Sequence, residues 1–190
     1  MNPTVATAVD RLHFEATAIT SSLQRVAETS LQNAASDNFR KALLLAAASY
    51  FEHRICSLLF EFVEERSGGP FLVASFVRNK AISRQYHTLF DWESANANKF
   101  FGLFGEEFRA AMSQKLQKSD ALLESVKAFL EIGRDRNRLV HQDYATFPLD
   151  KTLDEIFKLY KQGLLFVDTL HSALRECDDV CRANHITQIR

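Results

Sequence analysis

The sequence predicts an all-α fold, a helical bundle built on two long antiparallel helices with shorter ones added. Helix breakers are scarce, with three prolines and six glycines in 190 residues, whereas Ala, Leu, Glu, Lys and Arg, all good helix formers, are plentiful. Apolar residues recur every three or four positions, as on one helix face, and no segment alternates apolar with polar as a half-buried strand would.

The first helix is expected to start near Thr4, behind Pro3, whose fixed φ suits a first turn. It carries Val5, Val9, Leu12, Ala16, Ile19, Leu23, Val26 and Leu31. Ser36 and Asp37 offer an N-cap for a long second helix reaching about Arg66, where Ser67-Gly68-Gly69-Pro70 stops it. A shorter apolar helix is expected from Phe71 to about Ile82. From Ser83 to Gly105 the pattern is less regular, and a short helix inside a connection is expected; Trp92 and the run Phe100-Phe101-Gly102-Leu103-Phe104-Gly105 lie there. A helix from Glu106 to about Leu116 follows, and Ser119 caps another that reaches His141 or slightly beyond. Phe147-Pro148-Leu149 turns the chain into a last helix from about Thr152 to Ala183.

The length fits one domain over residues 1–190. Apolar residues make up 46% of the chain, enough for a core that needs neither metal nor disulfide. The formal charge is −1, so backbone charge alone does not recommend the chain as a nucleic-acid binder; such a function requires a local basic site. Cys56, Cys177 and Cys181 are too few, and odd in number, for a disulfide framework. No apolar run is read as approaching the roughly 20 residues of a membrane span. The opening MNPTVATAVDRLHFEATAI lacks the charged-then-apolar layout of a signal peptide, so a cytoplasmic protein is expected, with no membrane partner.

One helix carries a charge where core is expected. With roughly 100° per residue, Leu122, Val126, Phe129, Gly133 and Val140 fall on one stripe, and Arg136 lies about 40° to its side. An unpaired guanidinium in an apolar core costs several kcal/mol, so Arg136 must face a pocket, a carboxylate or a subunit interface. Asn137 and His141 share a flank of this helix with Arg134 beside them, and Arg138 points away toward solvent. On the second helix, Leu44, Ala48, Phe51, Ile55, Leu58 and Phe62 form a stripe widened by Leu45, Cys56, Leu59 and Val63. Glu52 falls inside that widened face, either as a partner for Arg136 or as a boundary carboxylate reaching water.

The segment Arg136-Asn137-Arg138-Leu139-Val140-His141 resembles the R-x4-6-H signature of the HEPN superfamily, with the usual polar residue after the arginine. The segment Asn96-Ala97-Asn98-Lys99-Phe100-Phe101, with Leu103-Phe104-Gly105 and Phe108, resembles the HEPN branch associated with RiboL-PSP domains. Glu52, in Ala48-Ser49-Tyr50-Phe51-Glu52, is similar to an acidic position on the second helix of many such proteins. The resemblance covers about residues 36–175.

It implies metal-independent cleavage of RNA, leaving 2′,3′-cyclic phosphate and 5′-hydroxyl ends, or else a binding or adaptor module of the same fold. The residue types suit the chemistry. The RNA 2′-hydroxyl is an internal nucleophile, His141 can exchange a proton near neutral pH, and Arg136 can hold the developing phosphorane charge. Asn137 would hold the histidine or the phosphate, with Glu52 and Arg134 supporting. Arg136 and His141 lie about 140° apart on a regular helix. Either the helix loosens near Val140 or the two come from different subunits of a homodimer, in which HEPN motifs meet. No cofactor is implied. The implied partners are an RNA such as tRNA or mRNA, a second copy, and an antitoxin or defence-system protein.

Other signals are weaker. Cys177, Cys181 and His185, with His171, share spacing that tetrahedral zinc could use, but no second ligand cluster accompanies them. His13, His53, His87 and His171 are read as surface or boundary residues. Trp92 with Phe90 is read as anchoring an irregular segment rather than stacking a base. Phe71-Leu72-Val73 are candidates for a dimer interface.

Overall fold

The computed structural model describes residues 7–188, with side chains to residue 184. The expected helix start near Thr4 lies outside these residues. Helix α1 (Ala8–Arg25) begins behind Thr7, which forms a capping box with Asp10: the Asp10 N–H donates to Thr7 Oγ1 at 3.1 Å and the Thr7 N–H to Asp10 Oδ2 at 2.7 Å. Burial would raise the Asp10 carboxyl, but the Thr7 bonds and the ammonium of Lys161 outweigh it and hold the group below its usual 3.8.

The break between α1 and α2 (Thr29–Ser67) comes earlier than the sequence predicts. Ala27 takes a left-handed φ of 58°. Its N–H donates to the Gln24 carbonyl and that of Glu28 to the Leu23 carbonyl, the paired bonds of a Schellman cap. Ser36 and Asp37 are therefore mid-helix, not caps. The Asp37 carboxylate instead bonds Lys41 Nζ at 2.8 Å and Arg40 Nη2 at 3.1 Å, and Lys41 foremost keeps it below the usual range. The expected end of α2 holds, with Gly68 left-handed at φ 82°.

Six further helices follow, and all described secondary structure is helical. They are α3 (Leu72–Val77), continued by a π turn over Arg78–Ile82, α4 (Tyr86–Leu89), α5 (Asn98–Gly102), α6 (Glu106–Gln117), α7 (Asp120–His141) and α8 (Leu153–Gln188). The irregular stretch thus holds two short helices where one is expected. Thr152 and Glu155 cap α8 reciprocally.

The core lies between α2, α7 and α8, with α1 laid along α2. Phe51, Phe129, Tyr160 and Phe166 meet there, and Phe90, Phe100 and Phe101 extend it under α4 and α5. Gly163 permits this approach: a Cβ there would stand 2.7 Å from Phe51 Cζ. Ser125, buried on α7, donates to the Gln162 carbonyl at 2.6 Å and accepts from the Phe166 N–H at 2.7 Å. Those are the two groups a regular helix joins directly, so one hydroxyl stitches α7 into the ladder of α8.

Helix α2 also corrects a sequence expectation. It contains an 18-residue window of mean hydropathy at least 1.2 with no more than two charged residues, so by length and composition alone it could cross a membrane. Nine of its residues are buried within the bundle.

Candidate active site

The last two turns of α7 leave the core on one side. Ile132, Asp135 and Leu139 continue the buried face, whereas Val140, expected in the core, is 46% exposed. Asp135 is buried because it answers a cation: Lys151 bonds it at 2.7 Å and Glu131 at 2.8 Å. Burial alone would lower the Lys151 ammonium, but these two carboxylates raise it. The segment after His141 is thereby tied to α7. It is tied to α2 as well, where buried Lys41 donates to the Tyr144 carbonyl at 2.9 Å and Arg40 to that of Leu149 at 3.0 Å. His141, the last residue of α7, is thus held at a fixed corner.

On the side that leaves the core lies a cleft of about 510 Å³, lined by Glu52 of α2, Arg84, Tyr86 and His87 at the α4 corner, and Arg136, Asn137, Val140 and His141 of α7. Around a regular helix those four α7 positions run Arg136, Val140, Asn137, His141 over about 140°. The cleft accepts this whole arc, and the helix continues to His141 without loosening. Arg136 therefore interrupts the predicted stripe because the stripe itself ends in a cleft. Two other cavities, of about 460 and 220 Å³, have no histidine in their lining.

Arg136 Nη1 donates to Asn137 Oδ1 at 3.1 Å, so Asn137 holds the arginine. Glu52 Oε2 stands 4.0 Å from Arg136 Nη2, with the two side chains 43% and 34% exposed. So open a pair is worth about 0–1 kcal/mol, and a phosphate can displace it. Both sequence readings of Glu52 thus hold in part: it faces Arg136, and it reaches water. Arg134 lies 3.9 Å from Asp135 and is not among the lining residues. Arg138 is exposed, as expected. His141 is exposed, and its ring has no hydrogen bond among the described residues.

The far wall was missed by the sequence reading. Burial foremost, then Glu52 and Cys56, push the Tyr86 phenol well above its usual range against the opposing pull of Arg136, so it stays protonated. Burial and Glu52 likewise raise the Cys56 thiol. Arg84 and His87 are exposed on this wall. Trp92 fixes it to α7. Its ring covers Gly133, where a Cβ would lie 2.0 Å from Trp92 Cζ3, and its Nε1–H donates to the His87 carbonyl at 2.9 Å. Nothing in the spacing of residues 84–87 announces this; only the packing of Trp92 on Gly133 brings them across. Phe90 stacks on Phe100 in the core, so the Trp92 region is an anchor, as read.

Of the weaker signals, Cys177 and Cys181 share a cavity of about 220 Å³ with Glu107, Asp178 and apolar side chains, and burial and Cys181 raise the Cys177 thiol. Among the described residues no group of three or more His, Cys, Asp or Glu is placed to hold a metal; the side chain of His185 lies outside them.

A family model described as RiboL-PSP-HEPN matches residues 10–176. The chain belongs to this HEPN-type family. The match begins well before residue 36, so α1 is part of the RiboL-PSP-HEPN unit rather than an appendage. Within the Asn96–Phe101 segment Ala97, Phe100 and Phe101 are buried in the core of this HEPN fold, whereas Asn96, Asn98 and Lys99 are exposed. No curated protein and no solved structure matches the chain significantly.

Proposed function

We propose that this HEPN-type chain is a metal-independent endoribonuclease. The observation that carries the reading is that Arg136 and His141 line one cleft, with Asn137 holding the arginine. In this reading the 2′-hydroxyl attacks the adjacent phosphorus, an imidazole takes its proton, and the P–O5′ bond breaks. The products are a 2′,3′-cyclic phosphate and a 5′-hydroxyl end. Arg136 stabilises the charge that develops on the non-bridging oxygens. Glu52 steadies Arg136 without neutralising it, and Arg134 takes a supporting place outside the cleft.

The substrate is RNA, such as a tRNA or mRNA. The working unit is a homodimer, the compartment the cytoplasm, and the setting a toxin–antitoxin or anti-phage system with a protein partner. The open cleft and its two guanidiniums against one carboxylate favour a polyanion despite the overall charge of −1.

The test is incubation of purified protein with RNA in EDTA, beside Arg136→Ala and His141→Ala, with end-group analysis. Each variant should lose about 10²–10⁴-fold in rate. Variants that cleave like the parent would refute the site. RNA binding that survives His141→Ala, with no cyclic-phosphate ends from the parent, would identify a binding module instead.

A further inference from the structure

A chain of formal charge −1 holds RNA only through a local basic site. We propose that the segment from Arg78 to Arg84 is that site, a basic track outside the R-x4-6-H residues that binds the phosphates of an RNA strand and leads the strand into the cleft. This rests on the ribonuclease reading above and deepens it.

Charge is sorted in this part of the chain. From Ser67 to Phe90 there is no Asp or Glu, and the only Lys and Arg are Arg78, Lys80 and Arg84. All three are exposed, and none forms a salt bridge among the described residues. Arg66, just before the segment, shows the contrast: Asp178 and Asp179 hold it at 3.1 and 2.7 Å. The track thus keeps its positive charge, whereas Arg66 is neutralised within the fold.

Packing sets where the track runs. Helix α3 lies on α2 with Ala74 buried. The Arg78 guanidinium sits over the Phe60 ring of α2, 4.6 Å from its centroid. Phe60 is eight residues beyond Glu52, so about 12 Å along the helix from the cleft. The π turn over Arg78–Ile82 then re-aims the chain. A tight turn follows, in which the Gln85 N–H donates to the Ile82 carbonyl at 3.1 Å. Ser83, with φ −62° and ψ 125°, and Arg84, with φ 61°, give it type II geometry. Its third position favours glycine, yet here it holds an arginine, and that arginine lines the cleft. The cations therefore extend from the flank of α2 to the cleft of Arg136 and His141.

Exposed Leu72, Val73 and Phe76 beside basic residues are also how a helix meets an anionic bilayer. RNA is favoured because α3 has only six residues and the cations lead into the cleft. In a homodimer each copy carries its own track, and the two α7 ends are free to meet.

The test measures affinity for an uncleavable single-stranded 2′-O-methyl RNA as salt is varied, and cleavage of ordinary RNA by the same proteins. Arg78→Gln with Lys80→Gln should weaken binding about tenfold at low salt, with a logarithmic salt slope smaller by about 1.4, at about 0.7 for each cation on a single strand. KM for long RNA should rise to match while kcat stays, because neither residue lines the cleft. Arg78→Lys keeps the charge and should bind within about twofold of the parent. Lys118→Gln with Lys158→Gln removes the same charge from exposed positions outside the track and the cleft lining, and should change affinity by less than about twofold. Parent-like affinity in the Arg78 and Lys80 double variant, or an equal loss in the Lys118 and Lys158 control, would overturn the track. So would binding to phosphatidylserine vesicles that the double variant loses while its RNA affinity stays intact. A parent that binds this RNA through Arg78 and Lys80 but cleaves none would uphold the track and overturn the ribonuclease reading.

Discussion

Gly133→Ala is the sharpest probe of how α7 and the α4 corner are joined. In an exposed helix this change is favourable, by up to about 1 kcal/mol of helix propensity. Here the added Cβ would meet Trp92 Cζ3 at 2.0 Å and Cε3 at 2.2 Å, so the indole must move. It has little room, because Tyr86, Phe90 and Phe129 pack around it and its N–H is bound to His87. With an approach this close, overpacking falls in the upper part of its usual range, about 2–3 kcal/mol; with about 1 kcal/mol of propensity gain subtracted, about 1–2 kcal/mol of net loss remains. For a chain of this length that lowers the melting temperature by about 2–8 °C. Trp92 is the only tryptophan, so its fluorescence reports the displacement directly. In a Trp92→Leu background the same change should cost little, a coupling that a double-mutant cycle reads. Gly102→Ala is the control, since a Cβ there meets nothing within 4 Å. A Gly133→Ala variant as stable as the parent, with unchanged fluorescence, would refute the claim that this contact fixes the far wall.

Two further outcomes follow from buried and capping charges. Lys41→Met keeps the volume of a side chain only 2% exposed but leaves the Tyr144 carbonyl without its donor and Asp37 with Arg40 alone; a loss of about 1–3 kcal/mol is expected in urea melts. It should come with faster proteolysis in the segment after His141, and stability within about 0.5 kcal/mol of the parent would count against the tie. Asp10→Ala removes half of the first capping box and should cost about 1 kcal/mol at neutral pH. The folded Asp10 carboxyl lies below its unfolded value, so its contribution is present above 3.8 and is lost as pH falls through the lower folded value. The difference between variant and parent should therefore close in acid, and a difference constant down to pH 2 would contradict the assignment of charge to the cap.

Much of the fold is legible in the sequence because helices are specified locally. Ser119, the Ser67–Pro70 stop and the Thr152 region act through their own turns, and the α2 stripe from Leu44 to Leu58 is buried as its spacing predicts. The Ala27 turn is not legible, since an alanine in the left-handed region bears no sequence signature. Ser36 and Asp37 mislead for a related reason: a good capping side chain also serves mid-helix when a lysine one turn on takes its charge.

The anomaly at Arg136 could be read from periodicity alone, because a guanidinium beside an apolar stripe has no cheap burial. Periodicity, however, says which residues share a face and not what that face meets. Only the tertiary structure turned the end of α7 so that Leu139 and Asp135 took the core while Arg136 and Val140 took the cleft. It alone paired Lys151 with Asp135 and laid Trp92 on Gly133, bringing Arg84 and His87 opposite His141. The local code wrote the helices and one wall of the cleft; contacts between residues tens of positions apart wrote the other wall, and no spacing within a helix encodes such contacts.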